Sequence, residues 1–269
     1  MKLNGKVIVI TGGGNGIGRE LVLQMLSRGA SVAAIDKNEA FLKETETLSG
    51  EYQARLTTYV VDVTRKDSVE ILPNQIISRF GHIDGVINDA GIIQPFVKLK
   101  DLAYESIDYV VSTNFHGTLY ITKAFLPHLL ERPEAHIVNI SSMGGFLPVP
   151  GQTIYGASKA ADKLLTEGLN SELLDTNVKV TVVFPGAIGT NIAYNSAVGD
   201  TMRQKNVEHS PVKMLPPDKA AKIILDGMEK DRYRILVGQD ASFMDFICRL
   251  SPRKAARFIY RQMKSLLPV

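Results

Sequence analysis

The sequence is poor in several things, and each shortage excludes something. Cys248 is the only cysteine, so no intrachain disulfide forms and a reducing compartment is the simplest setting. Tryptophan is absent. No apolar run approaches the ~18 residues that a bilayer span needs. The start, Met1-Lys2-Leu3-Asn4-Gly5-Lys6, shows no small-residue cleavage pattern, and the expectation is no signal peptide and a cytoplasmic protein. The formal net charge is only +3, too small to imply nucleic-acid binding. His82, His128, His136 and His209 have no metal-ligand spacing, and no metal is expected. What remains is ordinary: 269 residues, 45% hydrophobic and 22% charged. That is the balance of a soluble globular protein with a large core, and it excludes disorder, collagen and coiled coil.

Short β-branched runs alternate with longer helical patterns. The strand candidates are Lys6–Thr11, Ser31–Asp36, Thr57–Val63, Gly85–Asn88, His136–Ser141, Lys179–Phe184 and Arg234–Val237. Several are apolar at nearly every position, as in Val7-Ile8-Val9-Ile10, which is how a strand covered on both faces reads. Helical patterns fall near 17–29, 38–48, 66–80, 103–130, 153–175 and 217–230. The alternation implies right-handed βαβ crossovers: an α/β, Rossmann-type, doubly wound parallel sheet of about seven strands with helices on both faces. No flexible linker interrupts it, so residues 1–250 are expected to form one domain.

The first strand runs into Thr11-Gly12-Gly13-Gly14-Asn15-Gly16-Ile17-Gly18, and a helical pattern follows. Such a turn lets backbone N–H groups approach a pyrophosphate at a helix N-terminus. By itself a glycine cluster is equally a tight turn; its place after the first strand of a doubly wound pattern favours a phosphate. Asp36 closes the second strand, 18 residues beyond Gly18. An acid there accepts hydrogen bonds from an adenosine ribose and repels a 2′-phosphate, which argues for NAD over NADP. Lys37 follows it and could pair with such a phosphate, so NADP stays open. Asn15 adds no positive charge.

Tyr155 and Lys159 stand at i and i+4 in Tyr155-Gly156-Ala157-Ser158-Lys159, one turn apart on one helix face. An ammonium beside a phenol stabilises the phenolate, as a general acid/base requires. Alone, Tyr-x-x-x-Lys is also what a solvated helix face looks like. Ser142 follows an apolar strand, where ligands bind in such sheets, and could donate to a substrate carbonyl.

Taken together these motifs resemble the classical short-chain dehydrogenase/reductase family, over about residues 3–240. Thr11 to Gly18 resembles the family's T-G-x-x-x-G-x-G, with Gly12, Asn15, Gly16, Ile17 and Gly18 at the cofactor. Asp62 and Val63 resemble its adenine-contacting pair. Asn88-Asp89-Ala90-Gly91 resembles its N-N-A-G motif, which puts Asp89, Ala90 and Gly91 beside the cofactor. Asn114, Ser142, Tyr155 and Lys159 match its catalytic Asn, Ser, Tyr and Lys. The resemblance implies that Asn114 holds a water linking Lys159 to solvent and that Tyr155 and Lys159 also touch the cofactor. Pro185-Gly186-Ala187-Ile188-Gly189-Thr190 resembles the segment holding the nicotinamide carboxamide, through Pro185, Gly186, Ile188 and Thr190. One position departs: Asp89 stands where the family has Asn. It can accept but not donate unless protonated, so a changed partner or some lost stability is expected. His116 reads as a packed or capping residue. A homotetramer or homodimer through the long helices is implied.

Three segments are expected beside the nicotinamide: Ile92–Phe96, Met143–Pro150 and a lid near 190–215. They are mostly apolar, and no paired arginines are available for a carboxylate or phosphate. The expected reaction is hydride transfer between NAD(H) and an apolar secondary alcohol or ketone. The alternatives are an NADPH-dependent 3-oxoacyl thioester reductase and a non-catalytic NAD-binding redox sensor. Residues 251–269 hold Arg253, Lys254, Arg257, Arg261 and Lys264 and no acid. Ala255, Ile259, Met263 and Leu266 line the face opposite this basic stripe. Such a helix either packs its apolar face on the protein or makes weak contact with an anionic membrane or an acidic partner.

Overall fold

The computed structural model describes residues 1–192, 196, 214–264 and 267. Seven strands form one parallel sheet: β1 (Val7–Thr11), β2 (Ser31–Asp36), β3 (Leu56–Val60), β4 (Gly85–Asn88), β5 (Ala135–Ile140), β6 (Val178–Pro185) and β7 (Arg234–Val237). Their order is β3-β2-β1-β4-β5-β6-β7. The order reverses between β1 and β4, where Thr11 registers with Asn88. At such a switch point the connections leave in opposite directions and open a crevice at the strands' C-terminal ends.

The all-apolar strands are covered on both faces. Ile8 and Ile10 of β1 pack with Leu21, Met25 and Leu26 of α1 (Gly16–Ser27) and Ile224 and Met228 of α8 (Pro217–Met228). Val9, between them, faces the other layer with Ile121, Phe125 and Leu129 of α6 (Gly117–Leu130) and Leu169 of α7 (Thr153–Glu172). Period-two side-chain alternation thus splits one strand between two cores.

Three expected elements are divided or trimmed. β3 ends at Val60, so Asp62 and Val63 lie beyond it, and Asp62 Oδ1 accepts Thr64 N at 2.9 Å instead of joining a strand. The helix expected over 66–80 is two, α3 (Lys66–Glu70) and α4 (Leu72–Phe80). Pro73 has no N–H to continue the ladder and fits a first turn. The helix expected over 103–130 is α5 (Tyr104–Val111) and α6 with a π-helical turn, Ser112–His116, between them. α2 spans Glu39–Leu48.

Two further helices close the described chain, α9 (Gln239–Leu250) and α10 (Pro252–Met263). Ala255 and Ile259 are buried with Leu147 and Met244, and Met263 packs against them. The apolar face of the basic C-terminal helix is therefore covered by the protein itself, while Leu266 lies outside the described residues. His116 stacks on Tyr120 with ring centroids 5.9 Å apart, the packed role expected of it. Among the described residues no helix is long and apolar enough to cross a membrane, and no cluster of metal-ligating side chains occurs.

Candidate active site

A cleft of about 550 Å³ opens at the switch point. Its first wall is the glycine turn. Gly12 and Gly16 have φ of +70° and +56°, a region that side chains disfavour. A Cβ on Gly12 would stand 3.0 Å from Ala90 N, so the turn and the loop after β4 touch backbone to backbone. Asn15 caps α1: its Oδ1 accepts Gly16 N at 2.7 Å. Gly16 and Ile17 at this helix end line the cleft, where an anion is favoured. Gly18 does not line the cleft. A Cβ there would lie 2.1 Å from Gly12 O, so Gly18 is what lets α1 sit against the loop.

Asp36 lies at the end of β2 on the cleft wall. Its Oδ2 accepts Gly14 N at 3.2 Å and its Oδ1 accepts Asn38 N at 2.9 Å. Burial pushes this carboxyl above its usual range, against the pull of those bonds and Lys37. The two nearby cations are held by other groups. Arg19 Nη2 donates to Gly14 O and to Glu44. Lys37 donates to the Tyr109 hydroxyl, with its Nζ 5.0 Å from that ring's centroid. Asp62, Val63, Asp89, Ala90, Gly91, Pro185, Gly186, Ile188 and Thr190 also line the cleft, as do Gly12, Asn15, Gly16, Ile17, Lys37, Ser142, Tyr155 and Lys159. The backbone cradle, the helix end and the strand-end acid together fit a dinucleotide.

The second wall carries the ionisable groups. Tyr155 and Lys159 project from α7 as their spacing requires. Lys159 Nζ donates to Ile140 O at 2.8 Å and to Asp162 Oδ2 at 3.2 Å, which leaves one of its three N–H groups for the cleft. Burial lowers the Lys159 pKa, but the charges of Asp162, Tyr155 and Asp89 more than offset it, and the pKa stands raised. Ser142 Oγ accepts Gly144 N at 3.0 Å, so its own proton is free to donate. Gly144 keeps this corner open: a Cβ there would stand 3.3 Å from Tyr155 Cε1 and 3.4 Å from Ser142 Oγ.

Asn114 lies behind the cleft, fully buried in the π turn. Its Oδ1 accepts Ile92 N at 2.8 Å, and its Nδ2 donates to Ile92 O at 2.9 Å and Ser158 Oγ at 3.0 Å. The extra residue of a π turn re-aims a side chain, and here both amide groups clamp the loop after β4.

Several expectations for the substrate side change. Gln94 does not face substrate. It is fully buried, and its Oε1 accepts Ile154 N at 2.7 Å and Tyr155 N at 3.0 Å. It supplies the cap that Gln152 does not give α7, and so fixes the turn carrying Tyr155. Phe146 and Leu147, expected beside the nicotinamide, pack instead with α9 and α10. Of the lid, Ile192 lines the cleft and Leu215 pairs with Ala187 and Gly189 through backbone bonds of 2.9 Å. Tyr194, Val198, Met202 and Val212 lie outside the described residues.

Asp162 is a site residue that the sequence motifs do not include. It is almost fully buried, and burial raises its pKa to about 6 against the pull of Lys159. Its backbone oxygen accepts from Thr166, and Asn139 Nδ2 donates to that Thr at 2.9 Å. A polar thread thus runs from Lys159 under the sheet. Helical i,i+3 spacing could have flagged this pair, but nothing in the chain says that the pair is buried.

The family model described as short chain dehydrogenase matches residues 6–199. A putative oxidoreductase SadH of Mycobacterium tuberculosis is 34% identical over 269 residues, covering 98% of this chain and 97% of that protein. An uncharacterized oxidoreductase of Staphylococcus epidermidis is 35% identical over 199 residues, 74% of this chain and 85% of that protein. Among solved structures, a short-chain dehydrogenase/reductase from Burkholderia phymatum in complex with NAD superposes with TM-score 0.81. It is 25% identical, over 93% of this chain and 96% of that one. A short-chain dehydrogenase from Burkholderia cenocepacia in complex with NADP gives TM-score 0.79 at 25% identity, over 96% and 99%. The chain belongs to the short-chain dehydrogenase/reductase family of oxidoreductases.

Proposed function

We propose that this protein is an NAD(H)-dependent dehydrogenase/reductase interconverting an apolar secondary alcohol and its ketone, with Tyr155 as the general acid/base. The observation that carries the reading is the composition of the cleft. Ser142, Tyr155 and Lys159 meet there, beside Ile92, Ile93, Ile140, Ile188 and Ile192, and the cations among its described residues are Lys37 and Lys159 alone. Neither is an arginine that could clamp a carboxylate or phosphate bidentately.

The glycine turn and the α1 N-terminus would hold a pyrophosphate, Asp36 an adenosine ribose, and Pro185 to Thr190 the nicotinamide. When bound, the nicotinamide supplies the hydride acceptor or donor. Ser142 donates to the substrate oxygen and orients it. Tyr155 gives its proton to that oxygen in reduction and takes it back in oxidation. The Lys159 ammonium stabilises the phenolate form of Tyr155. Asn114 holds the loop after β4 in register with α7, and the water expected there would extend the proton path. NAD is favoured over NADP because Asp36 faces the cleft while Arg19 and Lys37 are engaged elsewhere. The solved relatives described above hold one cofactor or the other. The outward Tyr104 on α5 and Leu164 on α7 support a homotetramer or homodimer through these helices; a monomeric mass by light scattering at micromolar concentration would contradict it.

Tyr155→Phe tests the role directly. Turnover should fall on the order of 10²-fold or more while NAD binding persists. Near-normal turnover of a secondary alcohol by this variant would remove Tyr155 from the chemistry.

A further inference from the structure

We propose that the helical hairpin α9–α10 is a docking face for an anionic lipid surface, and that it docks through the side opposite the one the periodicity of α10 singles out. The stripe Ala255, Ile259 and Met263 is spent inside the protein, against Leu147 and Met244. A second apolar set points outward. Phe243, Phe246 and Leu250 recur at i, i+3 and i+7 along α9, and Phe246 and Leu250 are 62% and 70% exposed. Phe258 of α10, also exposed, packs edge-on against Phe243 with centroids 6.5 Å apart, which joins the two helices into one outward surface. Tyr260 is exposed as well. Phe246 and Leu250 are the most exposed of the set and are not part of the buried contact between the two helices.

Cations surround this patch. Arg249, Arg253, Lys254, Arg257, Arg261 and Lys264 are all exposed. The two acids of the hairpin are already engaged. Asp245 bonds Arg234 at 2.5 Å and Arg249 at 3.0 Å. Asp240 Oδ2 accepts Ala187 N at 2.7 Å. The outward face therefore combines large apolar side chains with an excess of positive charge, since of these six cations only Arg249 pairs with an acid of the hairpin among the described residues. That pairing suits the boundary between headgroups and acyl chains, where rings and a leucine enter the apolar layer and cations meet anionic lipid. It does not suit a second copy of this chain, because two such faces would set like charge against like charge across a low-dielectric contact.

The hairpin rests on Phe146 and Leu147, in the segment that follows Ser142. Beyond it, Leu267 reaches Gly151: a Cβ on that glycine would stand 2.8 Å from Leu267 Cδ2. The dock thus adjoins the loop that carries one of the proposed catalytic groups. The docking itself does not depend on the reaction, and it is measured with neither substrate nor cofactor.

The experiment is co-sedimentation of the full-length protein with phosphatidylcholine vesicles, with and without phosphatidylglycerol, at low and high salt. Binding should require phosphatidylglycerol and weaken at least tenfold in high salt. Each cation near such a surface contributes about a fivefold gain in affinity. Arg253→Glu with Arg257→Glu should therefore weaken binding at least tenfold, and Phe246→Ser with Leu250→Ser by about tenfold. Both pairs are exposed, and circular dichroism confirms that each double variant is folded. Failure to bind phosphatidylglycerol vesicles at low salt overturns the proposal. So does binding that neither double variant changes. A fall in solution mass on Phe246→Ser with Leu250→Ser would assign the face to a second copy and overturn it as well. Loss of turnover in Tyr155→Phe bears on the reaction and leaves this result untouched.

Discussion

The two walls of the cleft are held by different means. The β1–α1–β2 wall is made of backbone. Its glycines allow close approach, its helix end supplies N–H groups, and its determinants lie within the contiguous stretch from Thr11 to Asp36. The wall from β5, α7 and β6 is made of side chains borrowed from afar. Gln94 caps α7 across 60 residues of chain, Asn114 reaches Ile92 across 22, and Ser141 Oγ donates to Lys159 O at 2.7 Å. The difference separates what a short motif can specify from what only the completed fold can assemble. The first wall serves a ligand whose phosphates and ribose are fixed; the second must also fit a substrate.

If the first wall is truly a backbone device, adding one methyl group should damage it most. Gly18→Ala places a Cβ 2.1 Å from Gly12 O, and a carbonyl oxygen in a tight turn has nowhere to go. α1 must move away from the loop, at a cost of about 1–3 kcal/mol. Calorimetric titration of NAD should show affinity lowered by up to ~10²-fold. Wild-type affinity in this variant would mean that the close packing of α1 is not what shapes the phosphate cradle.

Asp36→Ala asks whether that wall also selects the cofactor. Removing a charged acceptor costs about 1.5–3 kcal/mol, so kcat/KM with NAD should fall roughly 10- to 100-fold. Use of NADP should rise, since the repulsion of a 2′-phosphate is gone. Steady-state rates with both cofactors side by side read the switch. A wild-type preference for NADP would show that Lys37 swings off Tyr109 and outweighs Asp36.

Legibility follows the same division. The inner strands were readable because they are covered on both faces and so are apolar at successive positions, the edge strand β3, where only Leu56 is buried, from its β-branched run, and the glycine turn and Tyr155/Lys159 pair because their spacing is local. The break at Ile71 was available in Pro73 but hidden by the continuing amphipathic pattern. The π turn at Ser112–His116 left no trace, because a single extra backbone residue changes no side-chain chemistry. Gln94 was misplaced onto the substrate side since polarity and loop position cannot say which way a side chain turns. Asp162 went unseen for the reason that its burial is set by β5 and α6, not by its neighbours. In α10 the periodicity located the buried stripe, but spacing alone could not say that Phe243, Phe246 and Leu250 of α9 turn outward beside Phe258, because that depends on how the two helices pack.

Asp89 joins the walls and departs from the family pattern, and its effect is confined to a window of pH. Its backbone N donates to Thr11 Oγ1 at 3.1 Å, and its side chain lies by the backbone of Gly18, with Lys159 and Asp36 as the nearest charges acting on it. Burial is the main influence and raises its pKa to about 7; Lys159 and the Gly18 N–H lower it, and Asp36 raises it. An Asp in the unfolded chain titrates near ~3.9. Between these two values the folded state holds the proton more tightly than the unfolded one, so stability falls as pH rises from about 4 to about 7. Asn has no proton to lose and keeps the acceptor oxygen toward Gly18. Asp89→Asn should therefore stabilise the cofactor-free protein more at pH 8 than at pH 5, by about 1–3 kcal/mol. Thermal unfolding of the two proteins at both pH values reads the difference directly. An equal shift in Tm at pH 5 and pH 8 would mean that Asp89 is ionised throughout, paired with Lys159 across the cleft floor, and that the second wall reaches further into the first than the backbone description allows.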